Sequence, residues 1–375
     1  MSAEGIERVR MPKWGLSMTE GRVVEWLVDE GAEIAPGDDV AEVETDKLNA
    51  NVEAPAGGVL RRRLARPGEA VPVGGLLAVL ADPAVPDEEI DRVVEEFRST
   101  FVPGEEAEEA GPRTATEDVD GRTLRYAHVG EDGPAVVLLH GFGGDLDNWM
   151  FVVDALAEGR TVISLDLPGH GGSSKGVGDG GLDMLVGALA GFLDARGLSH
   201  VHLVGHSLGG AVAAACTAAH PDRVASLSLV APAGLGPEIN ADYVKGFVAA
   251  KSRRELKPVI ELLFADPGRV TRQLLDDVLR YKRLDGVEDA LGRVSGAAFP
   301  EGRQALDTAA AVREAGVPVL VVWGREDRII PAAHAEALGD AAEVHVLDGA
   351  GHSPHMEAAG EVTRLVGAWV DAHPG

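Results

Sequence analysis

The sequence predicts a chain in two parts, a small all-β sandwich followed by a mostly parallel α/β sheet covered by helices, and three observations carry that expectation. The first eighty or so residues repeat themselves at a fixed offset. Beyond residue 121, short apolar runs alternate with helical stretches, the pattern of strands buried on both faces. One of those runs leads into Val204-Gly205-His206-Ser207-Leu208-Gly209-Gly210 and then an alanine-rich helical stretch, the sequence form of a sharp strand-to-helix turn that lifts a serine above a sheet. A length of 375 residues also suits two domains better than one.

Composition narrows the class. A hydrophobic content of 45% supports buried cores, and an aromatic content of only 4% means that Ala, Val and Leu build them. The formal charge of -27 repels polyanions, so neither nucleic acid nor an anionic membrane surface is expected as a partner. The lone cysteine, Cys216, has no disulfide partner within the chain and suits a reducing compartment; the cytoplasm is the expected location. No apolar leader opens the sequence, no run is long enough to span a bilayer, and no metal site is expected.

In the first part, residues 1–82, Gly31-Ala-Glu-Ile34 matches Gly68-Glu-Ala-Val71 at an offset of 37, and Gly21 matches Gly58 at the same offset. Pro-Gly and Glu-Gly turn signals separate short apolar runs in each half, so each half reads as short strands and tight turns. Between the runs lies Val43-Glu44-Thr45-Asp46-Lys47-Leu48-Asn49, and strands on both sides would set Asp46 and Lys47 at a hairpin tip. Together with Met11-Pro12-Lys13-Trp14-Gly15-Leu16-Ser17-Met18-Thr19-Glu20-Gly21, this stretch resembles the lipoyl domain of 2-oxo acid and acetoin dehydrogenase complexes from about Val9 to Ala81. The resemblance implies that Lys47 carries lipoate in amide linkage. Biotin carriers usually flank the lysine with methionine, so Asp46 and Leu48 point to lipoate.

The connection, 83–120, holds thirteen Asp or Glu against three Arg and should be extended where it is most acidic, from Pro103 on. Ahead of that stretch, Ile90, Val93, Val94, Phe97 and Phe101 recur at helical spacing, with Asp87, Glu88 and Glu89 at the positive end of the helix dipole. This apolar stripe must be covered, either by one of the chain's own domains or by a partner subunit. The small basic subunit-binding domain that acyltransferases of oxo acid dehydrogenase complexes usually carry here is absent from the sequence.

The second part, 121–375, opens with a hairpin-like Arg125–Gly133 and a buried run, Ala135–Leu139, which leads into His140-Gly141-Phe142-Gly143-Gly144. Glycines let backbone approach a ligand, and the amides of Phe142 and Leu208 are the expected oxyanion donors. Val317–Gly324 leads to Asp327, and Val344–Leu347 to His352. Serine is a weak nucleophile until an imidazole takes its proton, so His352 is the expected base and Asp327 its orienting acid. Asp348 is the rival acid, but its turn would have to fold back on itself. The order Ser207, Asp327, His352, together with the His140-Gly141 and Gly351-His352 motifs, resembles the α/β-hydrolase fold. His140, His170, His206 and His355 lie near these motifs and are expected in backbone-bonded, structural roles. His128-Val-Gly-Glu-Asp132-Gly133 matches a His-x-x-x-Asp-Gly pattern of another acetyltransferase fold, but almost all of the second part follows it, so it reads as a strand and a turn.

From 232 to 312 helical runs replace strands, as in a cap over the nucleophile. Lys251, Arg253, Arg254 and Lys257 give this segment a positive surplus that could meet the phosphates of coenzyme A, or form a solvated helix face.

A lipoyl arm shuttles acyl groups as thioesters, and a Ser-His-Asp site performs acyl transfer. Their fusion resembles the acetyltransferase subunit of acetoin dehydrogenase complexes. That resemblance implies transfer of an acetyl group from the Lys47 arm to coenzyme A. It also implies thiamine-diphosphate-dependent dehydrogenase subunits and dihydrolipoyl dehydrogenase as partners, and a homo-oligomeric state. The alternatives are a thioesterase or ester hydrolase with an appended lipoyl domain, and a non-catalytic scaffold carrying only the arm.

Overall fold

A computed structural model describes residues 5–14, 18–45, 49–103, 113–130 and 132–374. The chain divides into two units, Met1–Gly111 and Pro112–Gly375.

The first unit contains β1 (Ile6–Arg10), β2 (Glu20–Trp26), β3 (Glu33–Ile34), β4 (Asp39–Glu44), β5 (Asn49–Glu53), β6 (Gly58–Arg63), β7 (Ala70–Pro72) and β8 (Leu76–Ala81). They form two antiparallel sheets, in the orders β1-β8-β6-β3 and β5-β4-β2-β7. The repeat explains both orders. Shifting β2, β3 and β4 by the repeat offset gives β6, β7 and β8, so one sheet maps onto the other, with the short strands β3 and β7 crossing over. Val23, Val40, Val43, Leu60, Leu77 and Leu80 fill the space between the sheets. β4 and β5 pair with Glu44 opposite Asn49. Lys47 belongs to the link between those strands and lies outside the described residues.

The amphipathic stretch forms α1 (Asp87–Thr100). Ile90, Val93 and Val94 pack with Ile6, Val79 and Ala81, so the lipoyl-type sheet of the same unit covers the stripe. Charge follows the same division. Arg61 pairs with Asp87 at 2.7 Å and Arg62 with Asp91 at 3.5 Å, while Arg10 sits over the Phe97 ring at 5.0 Å.

The second unit begins at β9 (Arg113–Val119), within the stretch the sequence assigns to the connection. It forms a hairpin with β10 (Arg122–Val129). Asp120 and Gly121 make the turn with φ of 51° and 75°, the left-handed pair that a tight hairpin of right-twisted strands requires. The segment from Arg125 to Val129 is therefore the second arm of a hairpin that starts earlier, and His128 pairs with Arg113 within it and with Ile163 on its other side.

After these come β11 (Ala135–Leu139), α2 (Val153–Leu156), β12 (Thr161–Leu165), α3 (Leu182–Ala195), β13 (Val201–His206), α4 (Leu208–Ala219) and β14 (Val224–Val230). Between β14 and β15 lie α5 (Ala241–Ala249), α6 (Arg253–Ile260), α7 (Arg272–Lys282), α8 (Val287–Ala298) and α9 (Ala309–Glu314). The unit closes with β15 (Val319–Gly324), β16 (Glu343–Leu347), α10 (Pro354–Glu357) and α11 (Ala359–Ala372). The sheet order is β16-β15-β14-β13-β11-β12-β10-β9, parallel from β16 to β12. Val136, Leu138, Val204, Val230, Leu320 and Val322 face a layer made by α2 and α11. Strand order reverses at β11 and β13, and in such sheets ligands bind beyond the carboxyl ends of the strands at that crevice.

Candidate active site

Ser207 ends β13 in a backbone conformation, φ 51° and ψ -116°, that side-chain-bearing residues rarely adopt. Its neighbours show why the sequence needs glycine on both sides. A Cβ at Gly205 would come within 2.4 Å of the Gly209 carbonyl oxygen, and one at Gly209 within 2.3 Å of that of Leu139. Both obstacles are backbone, so nothing but the absence of a side chain relieves them.

The loops after β13, β15 and β16 bring three distant residues together. His352 Nε2 lies 3.0 Å from Ser207 Oγ, and His352 Nδ1 lies 2.7 Å from Asp327 Oδ2. With the Nδ1 proton donated to the carboxylate, Nε2 is left as acceptor for the serine hydroxyl. The Asp327 side chain is fully enclosed. Its Oδ1 accepts the amides of Ile329 (2.7 Å) and Ile330 (2.9 Å), and its Oδ2 also accepts the indole N–H of Trp323 at 2.8 Å. Asp348 is turned away and pairs with Arg325 at the surface.

The loop after β11 closes over the serine. A Cβ at Gly141 would stand 3.1 Å from Ser207 Cβ. Neither the Phe142 nor the Leu208 amide is engaged in a hydrogen bond among the described residues, so both remain available to a developing oxyanion. The buried Asp166 carboxylate fixes the loop by accepting from Leu146 N–H (2.8 Å), Gly172 N–H (2.6 Å) and the Arg125 guanidinium (2.6 Å).

Three of the four neighbouring histidines bond to backbone. His140 donates to the Gly141 carbonyl at 2.8 Å and accepts from Leu167 N–H at 3.0 Å. His170 donates to the Pro168 carbonyl at 3.0 Å, and His206 to the carbonyl of His352 at 2.8 Å. His355 departs from that expectation. It makes no hydrogen bond among the described residues and lies between the rings of Trp149 (4.6 Å) and His206 (4.4 Å), tilted against each. Burial pushes His140 down to about 4, His170 and His355 to about 3, and His206 well below the ordinary imidazole range, so all four are neutral near pH 7. Burial raises the Cys216 thiol to about 11, which makes it a packing residue rather than a nucleophile.

The segment from β14 to β15 supplies the roof. Phe247 of α5 and Phe299 after α8 meet the Phe142 ring edge-on at 5.7 and 6.0 Å, and Ser207 is only 6% exposed. The roof is also tied to the histidine loop. Glu357 accepts from Gly351 N–H at 2.6 Å and Ala265 N–H at 2.8 Å, and Ser353 N–H reaches the Leu263 carbonyl at 3.2 Å. Of the four cations singled out in this segment, Lys251 pairs with Glu288 (3.1 Å), Arg253 with Asp276 (3.0 Å) and Lys257 with Glu261 (3.4 Å). Arg254 is exposed, with no ion pair among the described residues.

The sequence carries no signal for the parts Trp323 and Glu357 play. Trp323 sits in a strand-like run that reads as core, and Glu357 follows the histidine motif with no spacing signal of its own.

Fold and geometry define the class. Residues 134–359 match the α/β hydrolase fold family and residues 7–80 match the family described as biotin-requiring enzyme, so this is an α/β-hydrolase-fold protein with a biotinyl/lipoyl domain. Known proteins with both parts narrow it further. The chain is 50% identical, over 95% of its length and 95% of theirs, to the dihydrolipoyllysine-residue acetyltransferase component of the acetoin cleaving system of Cupriavidus necator. It is also 50% identical to the component of that name from Pseudomonas putida, covering 98% of this chain and 99% of that one. The chain belongs to this family of acetoin-cleaving acetyltransferase components. The second unit alone resembles a 2-hydroxy-6-oxononadienedioate/2-hydroxy-6-oxononatrienedioate hydrolase of Burkholderia vietnamiensis, at 32% identity over 66% of this chain and 91% of that one. Among solved structures, a meta-cleavage product hydrolase of Pseudomonas fluorescens shares the fold, with a TM-score of 0.63 at 24% identity over 69% of this chain and 97% of that chain.

Proposed function

We propose that the chain transfers an acetyl group from a lipoyl arm on Lys47 to coenzyme A, with Ser207, His352 and Asp327 as the catalytic residues. The single observation that carries this reading is the continuous Ser207–His352–Asp327 hydrogen-bond chain in a polypeptide that also holds a lipoyl-type domain. The Lys47 amine fits the group, because an amide to lipoate needs one lysine in the link between paired strands, and β4 and β5 flank that link. Lipoate supplies the dithiol that carries the acetyl group as a thioester.

His352 Nε2 takes the Ser207 proton as Oγ bonds to the acetyl carbon. The amides of Phe142 and Leu208 hold the oxyanion. As the C–S bond breaks, His352 returns the proton to the departing sulfur, leaving an acyl-serine. In the second half His352 takes the proton of the coenzyme A thiol, the sulfur attacks, the C–O bond breaks, and the proton goes back to Oγ. Asp327 stabilises the imidazolium in both halves. The aromatic roof of Phe142, Phe247 and Phe299 keeps water from the acyl-serine, which separates a transferase from a hydrolase. With Ser207 this enclosed, substrate enters when the cap helices part. Arg254, and Lys251, Arg253 and Lys257 once released from their acids, serve the coenzyme A phosphates. The reading places the chain in the cytoplasm as a homo-oligomer, beside thiamine-diphosphate-dependent dehydrogenase subunits and dihydrolipoyl dehydrogenase. Among the described residues, no helix is long and apolar enough to cross a membrane.

The hydrolase-like relatives of the second unit favour one other reading, thioester hydrolysis. One experiment separates the two. Acetyl-dihydrolipoamide is supplied with and without coenzyme A, and acetyl-CoA is measured against acetate. Acetyl-CoA in excess, lost in Ser207→Ala, supports transfer, whereas acetate as the main product with coenzyme A present refutes it.

A further inference from the structure

We infer that Trp323 is a positioning residue for the Asp327 carboxylate, acting through its indole N–H rather than through its bulk. The inference rests on the Ser-His-Asp reading above and adds a fourth member to it.

A carboxylate offers two lone pairs on each oxygen. Those of Asp327 are all used. Ile329 N–H and Ile330 N–H occupy Oδ1 at 2.7 and 2.9 Å, and His352 Nδ1–H and Trp323 Nε1–H occupy Oδ2 at 2.7 and 2.8 Å. The two backbone donors fix one oxygen but leave the carboxylate plane free to rock about it. The indole, on the same oxygen as the imidazole, removes that freedom and sets the direction from which Oδ2 meets Nδ1–H.

The indole is held rigidly enough for this task. Trp323 is fully buried in β15, between the partner strands β14 and β16, four residues ahead of Asp327. The His334 ring stands edge-on to it at 6.5 Å. The side chain of Asp327 has no exposure, so water would not replace a missing donor. Tyr243 on α5 also feels the carboxylate's charge, and burial holds its hydroxyl far above the ordinary range and so protonated.

The test is made on the full-length chain with p-nitrophenyl acetate, whose burst of p-nitrophenol reads acylation of Ser207 without the lipoyl arm or coenzyme A. A failure of the acetyl-transfer reading therefore cannot be mistaken for a failure of this one. Trp323→Phe removes the N–H and some volume. Site-directed incorporation of 3-benzothienylalanine at position 323 keeps the bicyclic shape and replaces N–H by sulfur. The expectation for both is an acylation rate about tenfold lower, the weaker end of what losing a hydrogen bond to a charged group costs. The acid limb of the rate profile should also move to higher pH, because the carboxylate now concentrates its charge on the imidazole. A benzothienyl protein with the parent rate and pH profile overturns the inference whatever the Phe variant does, because the ring's bulk alone would then suffice.

Discussion

Lowering the pH from 7.5 to 5 tests whether the imidazoles packed around the active site are buried as neutral groups. His140, His170, His206 and His355 are all depressed below their ordinary value of 6.5 by burial. Between that value and their folded-state values, the unfolded chain binds protons that the folded chain refuses, so stability is present above 6.5 and is lost as pH falls. At pH 5 each imidazole contributes a loss of about 2 kcal/mol, or about 8 kcal/mol for the four together. That is comparable with the whole stability of a domain, about 5–15 kcal/mol. His202, lowered to about 4, acts in the same direction. Glu357, raised by burial, opposes them only near its own range above 4.5.

The assay is equilibrium denaturation followed by tryptophan fluorescence at steps from pH 7.5 to 5. The expected slope between pH 6.5 and 5 is about 5 kcal/mol per pH unit, the value for four protons taken up on unfolding. The chain carries an internal control, because all 12 histidines lie in the second unit, while Trp14 and Trp26 report on the first. The first unit's transition should lack this dependence. A slope in the second unit equivalent to fewer than one proton would refute the argument.

Two further predictions concern the elbow and the cap. Gly209→Ala places a methyl group against the Leu139 and His140 carbonyl oxygens at 2.3 and 2.5 Å, so it should cost about 2–4 kcal/mol and nearly all acylation. Its control is Gly187→Ala on α3, where a Cβ meets nothing within 4 Å; this should raise stability by about 0.5–1 kcal/mol in the same equilibrium denaturation, with no change in rate. Arg254→Glu should raise KM for coenzyme A by about three- to tenfold, an effect that fades in high salt, with kcat unchanged. A KM indifferent to that substitution removes the cap cations from coenzyme A binding.

The legible parts of this protein are those whose physical cause is local. The repeat announces itself because each half folds by the same turns, and three strands of each resulting sheet map onto the other at the repeat offset. Gly205 and Gly209 mark the elbow because one sharp turn forbids a Cβ at both places, and strand ends announce Asp327 and His352 because apolar runs must stop where loops begin. The start of the second unit is less legible, since the polar, largely exposed strand Arg113–Val119 has the composition of a linker and becomes a strand only by pairing with β10.

Other decisions needed residues far apart in sequence to meet. Asp327 rather than Asp348 faces the imidazole because the loop after β15 folds inward, while Arg325 draws Asp348 to the surface. The stripe of α1 finds its cover in strands β1 and β8, and two of the four cap cations, Lys251 and Arg253, find acids on neighbouring helices, neither of which spacing within one helix reveals. Trp323 and Glu357 read as core and surface until tertiary packing sets one against a carboxylate and the other across two loops. Sequence by itself determined which chemistry the chain can hold, because bond geometry acts over a few residues. Only the tertiary structure decided which groups hold that chemistry in place, because hydrogen bonds act at about 3 Å between atoms that the chain separates by many residues.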